Sequence, residues 1–366
     1  MPSAHRSDRG CLTTFWNVSP FPFDTVLFDL DGTLVATDRY WPDAARAGTR
    51  EVFASRGIER PIPTAAEWMA MVGLPMQEAF AGTFADLGAD VRSELIEACE
   101  AQEKLLLASG RAGVLHGVQD ALESLKSRSV RLGVASNCGQ DYLDNMIHGL
   151  RLDRWIDEAR CLASPGIGNK ADMIADLLHT FGTRSSVMVG DRRGDRDSTW
   201  ANGLPFVHIP RGYGGASENV EAEATLDGID QLLDVLEERG RVLARVCGVA
   251  HVAKTLVVTG MPLSGKSLFA RDLQRFLVDA GSEASVVEPA LEEALPDSGG
   301  VFRVHLLAQE DVLYRRAKGQ GAGMAPVDAL REERLPAYFA AFPTPPEGAI
   351  LIDNTNAVAP RYLGTA

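Results

Sequence analysis

The sequence predicts an α/β protein: a doubly wound parallel sheet interrupted by a block of helices, followed by a second, smaller α/β unit. Three observations carry that expectation. Short apolar stretches bounded by turn formers, TVLFDL (25–30), VRLGVAS (130–136), SVMVGD (186–191) and FVHIP (206–210), alternate with amphipathic helical patterns. Between about Asp38 and Ala112 helical patterns follow one another with no strand among them. Finally, TLVVTG (255–260) opens a fresh strand, loop and helix.

Taken in chain order, residues 1–22 carry basic side chains but no apolar run of the kind a secretory signal needs, and are read as a leader. TVLFDL is a buried strand that feeds the loop DGTLVATD. AARAGTREVFASRG, AAEWMAMVG, MQEAFAGTFADLG and VRSELIEACEAQEKLLLAS are helical, which makes 38–112 an inserted helical block. The helices GVQDALESLKSR, QDYLDNMIHGL and KADMIADLLHTFG then separate the remaining strands, so the sheet is parallel and Rossmann-like. Residues 226–247 form a charged helical connector. The expected domains are therefore 23–240, carrying the insertion, and 252–366.

Composition narrows the function classes. The chain has 366 residues, 45% of them hydrophobic, and a formal charge of -14, and both halves are acidic. Neither a general affinity for nucleic acid nor one for anionic membranes follows from such a balance. No apolar stretch approaches the roughly 20 residues that cross a bilayer. Cys11, Cys99, Cys138, Cys161 and Cys247 are odd in number, scattered and never in a CxxC pair, which fits a reducing cytoplasm better than a disulfide framework.

Asp29 and Asp31 sit two apart where a strand gives way to a glycine turn, so both carboxylates reach beyond the carboxyl edge of the sheet. Ligands bind at that edge in open parallel sheets. Later strand ends deliver Ser136 and Asn137, then Gly190, Asp191 and Asp195, to the same rim, and Lys170 opens a helix. Singly, such residues are ordinary turn, cap and surface groups. Together they supply a carboxylate nucleophile, an acid/base, donors for phosphoryl oxygens and hard ligands for magnesium, which is the inventory of phosphate-ester chemistry.

In order, DLDGTL, a strand ending in SN, a lysine and GDRRGD resemble the four motifs of the haloacid dehalogenase superfamily across residues 24–215. KADMI, VMVGDRRGD and PRGYG resemble its phosphoglycolate phosphatase-like branch, and 38–112 its helical cap. The resemblance implies Asp29 as nucleophile forming an aspartyl-phosphate, with Asp31 protonating the leaving alcohol and then activating water. It implies Ser136, Asn137 and Lys170 at the phosphoryl group. Mg2+ would be held by Asp29, the Asp31 carbonyl and Asp191, with Asp195 a further ligand or anchor. Substrate contacts are expected in VGLPMQEAF, where Gly73 and Pro75 shape a cap loop. At LHGV, His116 stands before the glycine where relatives often have proline, and is read as a turn residue.

GMPLSGKS (260–267) satisfies GxxxxGK[ST] between an apolar strand and the helical pattern LFARDLQRFLVDAG. Such a loop presents backbone N–H groups to phosphates at a helix N-terminus. Gly260, Ser264, Gly265, Lys266 and Ser267 are thus candidate ligands for ATP or GTP. The C-terminal remainder resembles small P-loop kinases: VFRVHLLAQEDVLYRRAKGQG as a strand, a helix and a lid with Arg315, Arg316 and Lys318, and AILIDNT as the final strand. The pattern departs from those kinases at Leu263, where glycine is common, and in lacking a clear Walker B strand. Glu288 is the only obvious acidic candidate at the second strand, although its local sequence favours an exposed acidic loop residue over such a role. The aromatics of LPAYFAAFP are read as core.

The leading expectation is a Mg2+-dependent phosphatase for a small phosphorylated metabolite, fused to an ATP- or GTP-binding kinase-like domain. Two other readings are a polynucleotide 5′-kinase/3′-phosphatase of end repair, and a phosphatase regulated by a non-catalytic nucleotide-binding domain. The helical insertion and the acidic charge weigh against the first of these.

Overall fold

A computed structural model of the chain describes residues 21–210, 213, 220–250, 252–261, 263–289, 300–321 and 345–366, with side chains omitted for 317–321. Most of the expected leader, most of PRGYG, LPAYFAAFP and the Lys318 side chain lie outside the described residues. The described chain divides into two compact units, one built on Phe23–Asp234 and the other on Val235–Arg315 with the C-terminal strands.

The first unit is a parallel sheet of β1 (Thr25–Phe28), β2 (Arg131–Ser136), β3 (Glu158–Cys161), β4 (Ser186–Gly190), β5 (Phe206–His208) and β6 (Ala224–Thr225), in the order β3-β2-β1-β4-β5-β6. β1 is central, paired in parallel with β2 and β4. Every residue of β1 and β4 is buried, as expected of strands covered on both faces. Two short edge strands, β3 and β6, have no counterpart among the sequence expectations; EARC is only partly buried and AT too short to show a period.

After β1 a 3-10 turn (Thr37–Arg39) leads into α1 (Trp41–Arg56), α2 (Ala65–Met71), α3 (Met76–Thr83) and α4 (Ala89–Ala108). Their limits have local causes. Pro42 lies in the first turn of α1 and Gly57 ends it in the left-handed region at φ 63°, while Thr64 and Glu67 form a capping box on α2. Trp41, Trp68, Phe80 and Phe84 form the aromatic heart of the block. α1 and α4 meet at Gly48, where a Cβ would lie 2.5 Å from the Cys99 backbone nitrogen. The two chain crossings into the block are pinned together by Ala36 N to Gly113 O and Leu115 N to Leu34 O, both 2.9 Å.

The remaining helices of this unit are α5 (Val118–Ser127), α6 (Gln140–Gly149), α7 (Lys170–Phe181) and α8 (Arg193–Ala201). Leu27, Met173, Leu177 and Phe206 belong to the core between sheet and helices. α9 (Leu232–Val249) realises the charged connector, entered through a 3-10 turn at Ile229–Gln231.

The second unit contains β7 (Thr255–Gly260), α10 (Lys266–Asp279), β8 (Ser285–Val287), β9 (Val301–Leu307), α11 (Glu310–Gly321) only as far as Arg315, β10 (Ile350–Asp353) and β11 (Arg361–Thr365). Its sheet runs β11-β10-β9-β7-β8, parallel except for β11. AILIDNT is therefore not the last strand, because RYLGT returns antiparallel along it. The alternation of buried and partly buried residues in β10 and of half-exposed and exposed ones in β11 marks the latter as an edge. Leu256, Val258, Phe269, Leu273, Val304 and Ile352 form its core. Beside them Arg239 and Asp272 are a fully buried ion pair at 2.8 Å, with Arg239 also donating to Ala357 O. No described helix is long and apolar enough to cross a membrane.

Candidate active site

Parallel pairing brings the carboxyl ends of β1, β2 and β4 to one edge of the sheet. Asp29 and Asp31 follow β1, Ser136 ends β2 with Asn137 next, and Asp191 follows β4. Asp195 lies in the first turn of α8 and Lys170 begins α7, whose N-terminus Asn169 caps by accepting from Asp172 N. Asp29, Asp31, Ser136, Lys170, Asp191 and Asp195 are all buried.

Lys170 Nζ donates to Asp29 Oδ1 and to Asp195 Oδ1, each at 2.6 Å. The other oxygen of Asp195 accepts from Asp191 N at 3.2 Å and Arg192 N at 2.9 Å. Asp195 is thereby committed to holding Lys170 and the turn. Asp29 Oδ2 and both Asp191 carboxylate oxygens, by contrast, are buried with no hydrogen-bond partner among the described residues. Carboxylate atoms of Asp29, Asp191 and Asp195 lie within 4.8 Å of one another.

The electrostatics are those of an unbalanced site. Burial, followed by the charge of Asp195, pushes Asp29 up to about 7 despite Lys170. Burial, Asp29 and Asp195 hold Asp191 well above the usual carboxylate range. Burial opposes the charge of Lys170, but Asp195 and Asp29 outweigh it and keep the ammonium above its ordinary range. Three carboxylates face one ammonium, so the full ionisation that their burial and mutual repulsion resist would leave two negative charges, and the orphaned oxygens are hard donors. A divalent cation such as Mg2+ fits both facts.

Asp31 is directed elsewhere. Its Oδ1 accepts from Thr37 Oγ1 at 2.6 Å and from Tyr142 OH at 2.5 Å, and Tyr142 in turn meets Tyr40 OH at 2.5 Å. Burial raises its pKa while the Thr37 and Tyr142 hydrogen bonds lower it. Its carboxylate is not among the grouped metal-ligand atoms. Between the two aspartates and the helical block the chain turns at Gly32, with φ +81° and a Cβ position only 2.6 Å from Asp191 Oδ2; only glycine suits that turn.

The helical block touches the sheet edge at residues 70–73, the end of α2 and the turn that follows it. Asn137 Nδ2 donates to Gly73 O at 3.0 Å, and the Arg192 guanidinium donates to Ala70 O at 3.1 Å and also to Val72 O. Behind this turn lies a cavity of about 540 Å3 whose lining includes Asp31, Trp41, Pro75, Glu103, Asn137 and Tyr142. It is the segment VGLPMQEAF that supplies much of the cavity's near wall. His116 has no place in this lining. Tyr213 OH, from PRGYG, donates to Asp38 Oδ1 at 2.9 Å.

Thr37, Tyr40, Tyr142, Arg192 and Glu103 are site residues that the sequence motifs do not single out. Thr37 lies in the loop DGTLVATD, and Tyr142 in the first turn of the helix after the SN strand, which topology turns toward the sheet's carboxyl edge. That placement is the available signal for both. Glu103 and Tyr40 carry none: Glu103 is one of several glutamates on α4, and Tyr40 stands between the 3-10 turn and α1.

In the second unit the segment 260–267 links β7 to α10. Gly265 at φ +83° precedes the helix, and Asn354 Nδ2 donates to Ser264 O at 2.6 Å. Leu263 is held at φ 64°, a conformation that disfavours a branched side chain. Lys266 Nζ lies 3.4 Å from Glu288 Oε1, and Ser267 Oγ donates to the same oxygen at 2.9 Å. Glu288 thus stands against the loop. Arg315 pairs with Asp311 one turn earlier at 3.1 Å, whereas Arg316, expected in the lid, is instead buried with its guanidinium 3.6 Å from Glu223.

A family model described as haloacid dehalogenase-like hydrolase matches residues 26–209. The tyrosine-protein kinase PtkA of Mycobacterium tuberculosis is 28% identical over 222 residues, covering 57% of this chain and 72% of that protein. Among solved structures, a haloacid dehalogenase-like family hydrolase from Streptococcus pneumoniae is 23% identical with a TM-score of 0.50, covering 58% of this chain and 98% of its own. A predicted phosphoglycolate phosphatase from Haemophilus somnus is 20% identical with a TM-score of 0.51, covering 58% and 98%. These two likenesses concern the fold.

Proposed function

The chain belongs to the haloacid dehalogenase-like hydrolase family through residues 26–209, and from that membership we propose that it is a Mg2+-dependent phosphatase acting on a small phosphorylated metabolite through an aspartyl-phosphate on Asp29. The observation that carries the reading is the Lys170 bridge between Asp29 and Asp195, with Asp29 Oδ2 and both Asp191 oxygens left unpaired beside it.

Lys170 fixes the rotation of the Asp29 carboxylate. An Asp29 oxygen attacks phosphorus, the bond from phosphorus to the ester oxygen breaks, and the Asp31 carboxyl gives its proton to the departing alkoxide. The resulting Asp31 carboxylate takes a proton from water, whose oxygen attacks the phosphoaspartate and releases phosphate and free Asp29. Thr37 and Tyr142 hold Asp31 at one angle through both steps. Asp29, the Asp31 carbonyl and Asp191 would hold Mg2+, with Asp195 anchoring Lys170. Bound there, the ion supplies charge neutralisation of the phosphoryl oxygens. Ser136 and Lys170 are assigned to the phosphoryl group, as is Asn137 once its amide leaves Gly73 O. A cavity of about 540 Å3 with an acidic lining favours a small leaving group and disfavours polyanionic polynucleotide ends.

The relative named as a tyrosine-protein kinase motivates a second reading, in which a hydroxyl other than water accepts the phosphoryl group. The test is phosphate release from sugar phosphates, phosphoglycolate, nucleoside monophosphates and 3′-phosphorylated oligonucleotides with Mg2+, comparing wild type with Asp29→Asn. Small-metabolite turnover lost in the variant supports hydrolysis; selective turnover of oligonucleotide ends, or activity that survives the substitution, overturns it.

We further propose that the second unit binds ATP or GTP at Gly260, Ser264, Gly265, Lys266 and Ser267, with Glu288 beside Lys266 as the acidic partner. Arg315 alone of the two expected lid arginines is assigned to a lid over the phosphates, since Arg316 is buried against Glu223. Whether the unit acts as a kinase or as a regulator is decided by calorimetry of ATP binding and by ADP formation in the same samples; binding lost in Lys266→Ala supports the site, and absence of binding in wild type removes it.

A further inference from the structure

The cavity behind residues 70–73 holds a group that the hydrolytic reading does not use. Glu103, on α4, is only 7% exposed, lines the cavity, and makes no hydrogen bond or ion pair with any described residue. A buried carboxyl costs free energy unless something pairs with it. Its neighbours make the position stranger. Asp31 and Glu100 line the same cavity, and the one lysine among its described lining residues, Lys104, pairs with Asp141 at 3.3 Å at the exposed rim and offsets the acidic charge near Glu103 only in part. The lining is thus acidic, with Trp41 and Tyr142 as aromatic walls.

Such a lining repels a leaving group that carries a second anion, a carboxylate or another phosphate, and suits one that carries a cation, between a carboxylate and aromatic faces. We propose that the cavity is the leaving-group pocket of the phosphatase and that Glu103 selects a phosphate monoester whose alcohol bears a protonated amine. The proposal rests on the phosphatase reading for the place of the phosphoryl group at Asp29; the amine selection rests on Glu103 alone. Burial pushes Glu103 up to about 8, with Asp31 and Glu100 adding to it and Lys104 opposing it, and an ammonium placed against the carboxylate reverses that cost.

The probes are 2-aminoethyl phosphate, glycerol phosphate and phosphoglycolate. Their binding to full-length Asp29→Asn with Mg2+ is measured by calorimetry, with and without Glu103→Gln, and their kcat/KM is measured in the chain with Asp29 intact. The expected result is that 2-aminoethyl phosphate binds at least about tenfold more tightly than phosphoglycolate, and that Glu103→Gln, which keeps the side-chain shape, abolishes most of that ratio. Equal affinities, a preference for glycerol phosphate or phosphoglycolate, or a ratio unmoved by Glu103→Gln overturns the proposal. The ratio is internal to each protein, so partial misfolding does not imitate the effect. Amine-selective binding without turnover of any probe supports the pocket and sinks the hydrolase reading. Turnover of the panel without amine preference does the reverse.

Discussion

The hydroxyl of Tyr142 donates to Asp31 Oδ1 at 2.5 Å, although 111 residues separate them in the chain. A carboxyl that must give and then take a proton is thereby held by a residue from a different helix. Burial raises the pKa of Asp31 and the Tyr142 hydrogen bond lowers it, so removing the hydroxyl raises it further. Tyr142→Phe is expected to move the alkaline limb of the kcat/KM pH profile, where Asp31 must be protonated, up by roughly one unit, the size of a hydrogen bond to a charged group. A limb that stays in place while activity falls would assign Tyr142 to packing instead.

Asp191 carries two buried carboxylate oxygens without partners and is held above the usual carboxylate range by burial, Asp29 and Asp195. Asp191→Asn removes that repulsion. In metal-free buffer the variant is expected to be more stable than wild type by about 1–3 kcal/mol. Adding Mg2+ should raise the wild-type melting temperature and leave the variant almost unmoved. Equal responses of the two proteins to Mg2+ would remove Asp191 from the ion site.

Glu103 gives a pH dependence of opposite sense to the common acidic case. Its folded pKa, about 8, is above its ordinary value of 4.5, so the folded chain holds the proton more tightly than the unfolded chain. Stability is full below the ordinary value and falls as pH rises through the folded one. Glu103→Gln should therefore raise the melting temperature at pH 8.5, with the difference from wild type vanishing toward about pH 4.5. A difference that does not change with pH contradicts the buried, unpaired state of this carboxyl.

Gly48 lets α1 and α4 approach until their backbones touch, with the Cβ position 2.5 Å from Cys99 N. Gly48→Ala forces the helices apart and is expected to cost about 1–3 kcal/mol in urea unfolding. Proteolysis in native buffer should cut the helical block first. Wild-type stability in the variant would mean that the block absorbs a methyl group there.

Much of this is legible in the sequence because strand ends announce themselves. The apolar runs before Asp29, Ser136 and Asp191 set the order of the motifs, and parallel pairing does the rest. The helical block is equally plain, since its apolar spacing never changes period. The short edge strands EARC and AT are not legible, being held by pairing rather than by their own pattern. Nor are Tyr40 and Glu103, because the contact of Tyr40 with Tyr142 and the place of Glu103 in the cavity depend on how the block meets the sheet. Glu288 illustrates the same limit: its local sequence favours an exposed loop, whereas the fold sets it 3.4 Å from Lys266.

The most direct test of the central assignment is acid-quenched trapping of the phosphorylated chain from a labelled substrate, with mapping of the labelled peptide. The expected result is label on the peptide containing Asp29 during turnover, none in Asp29→Asn, and a fall in kcat of at least about 10³-fold in that variant. Label on another residue, or wild-type turnover in Asp29→Asn, would contradict the assignment of Asp29 as nucleophile.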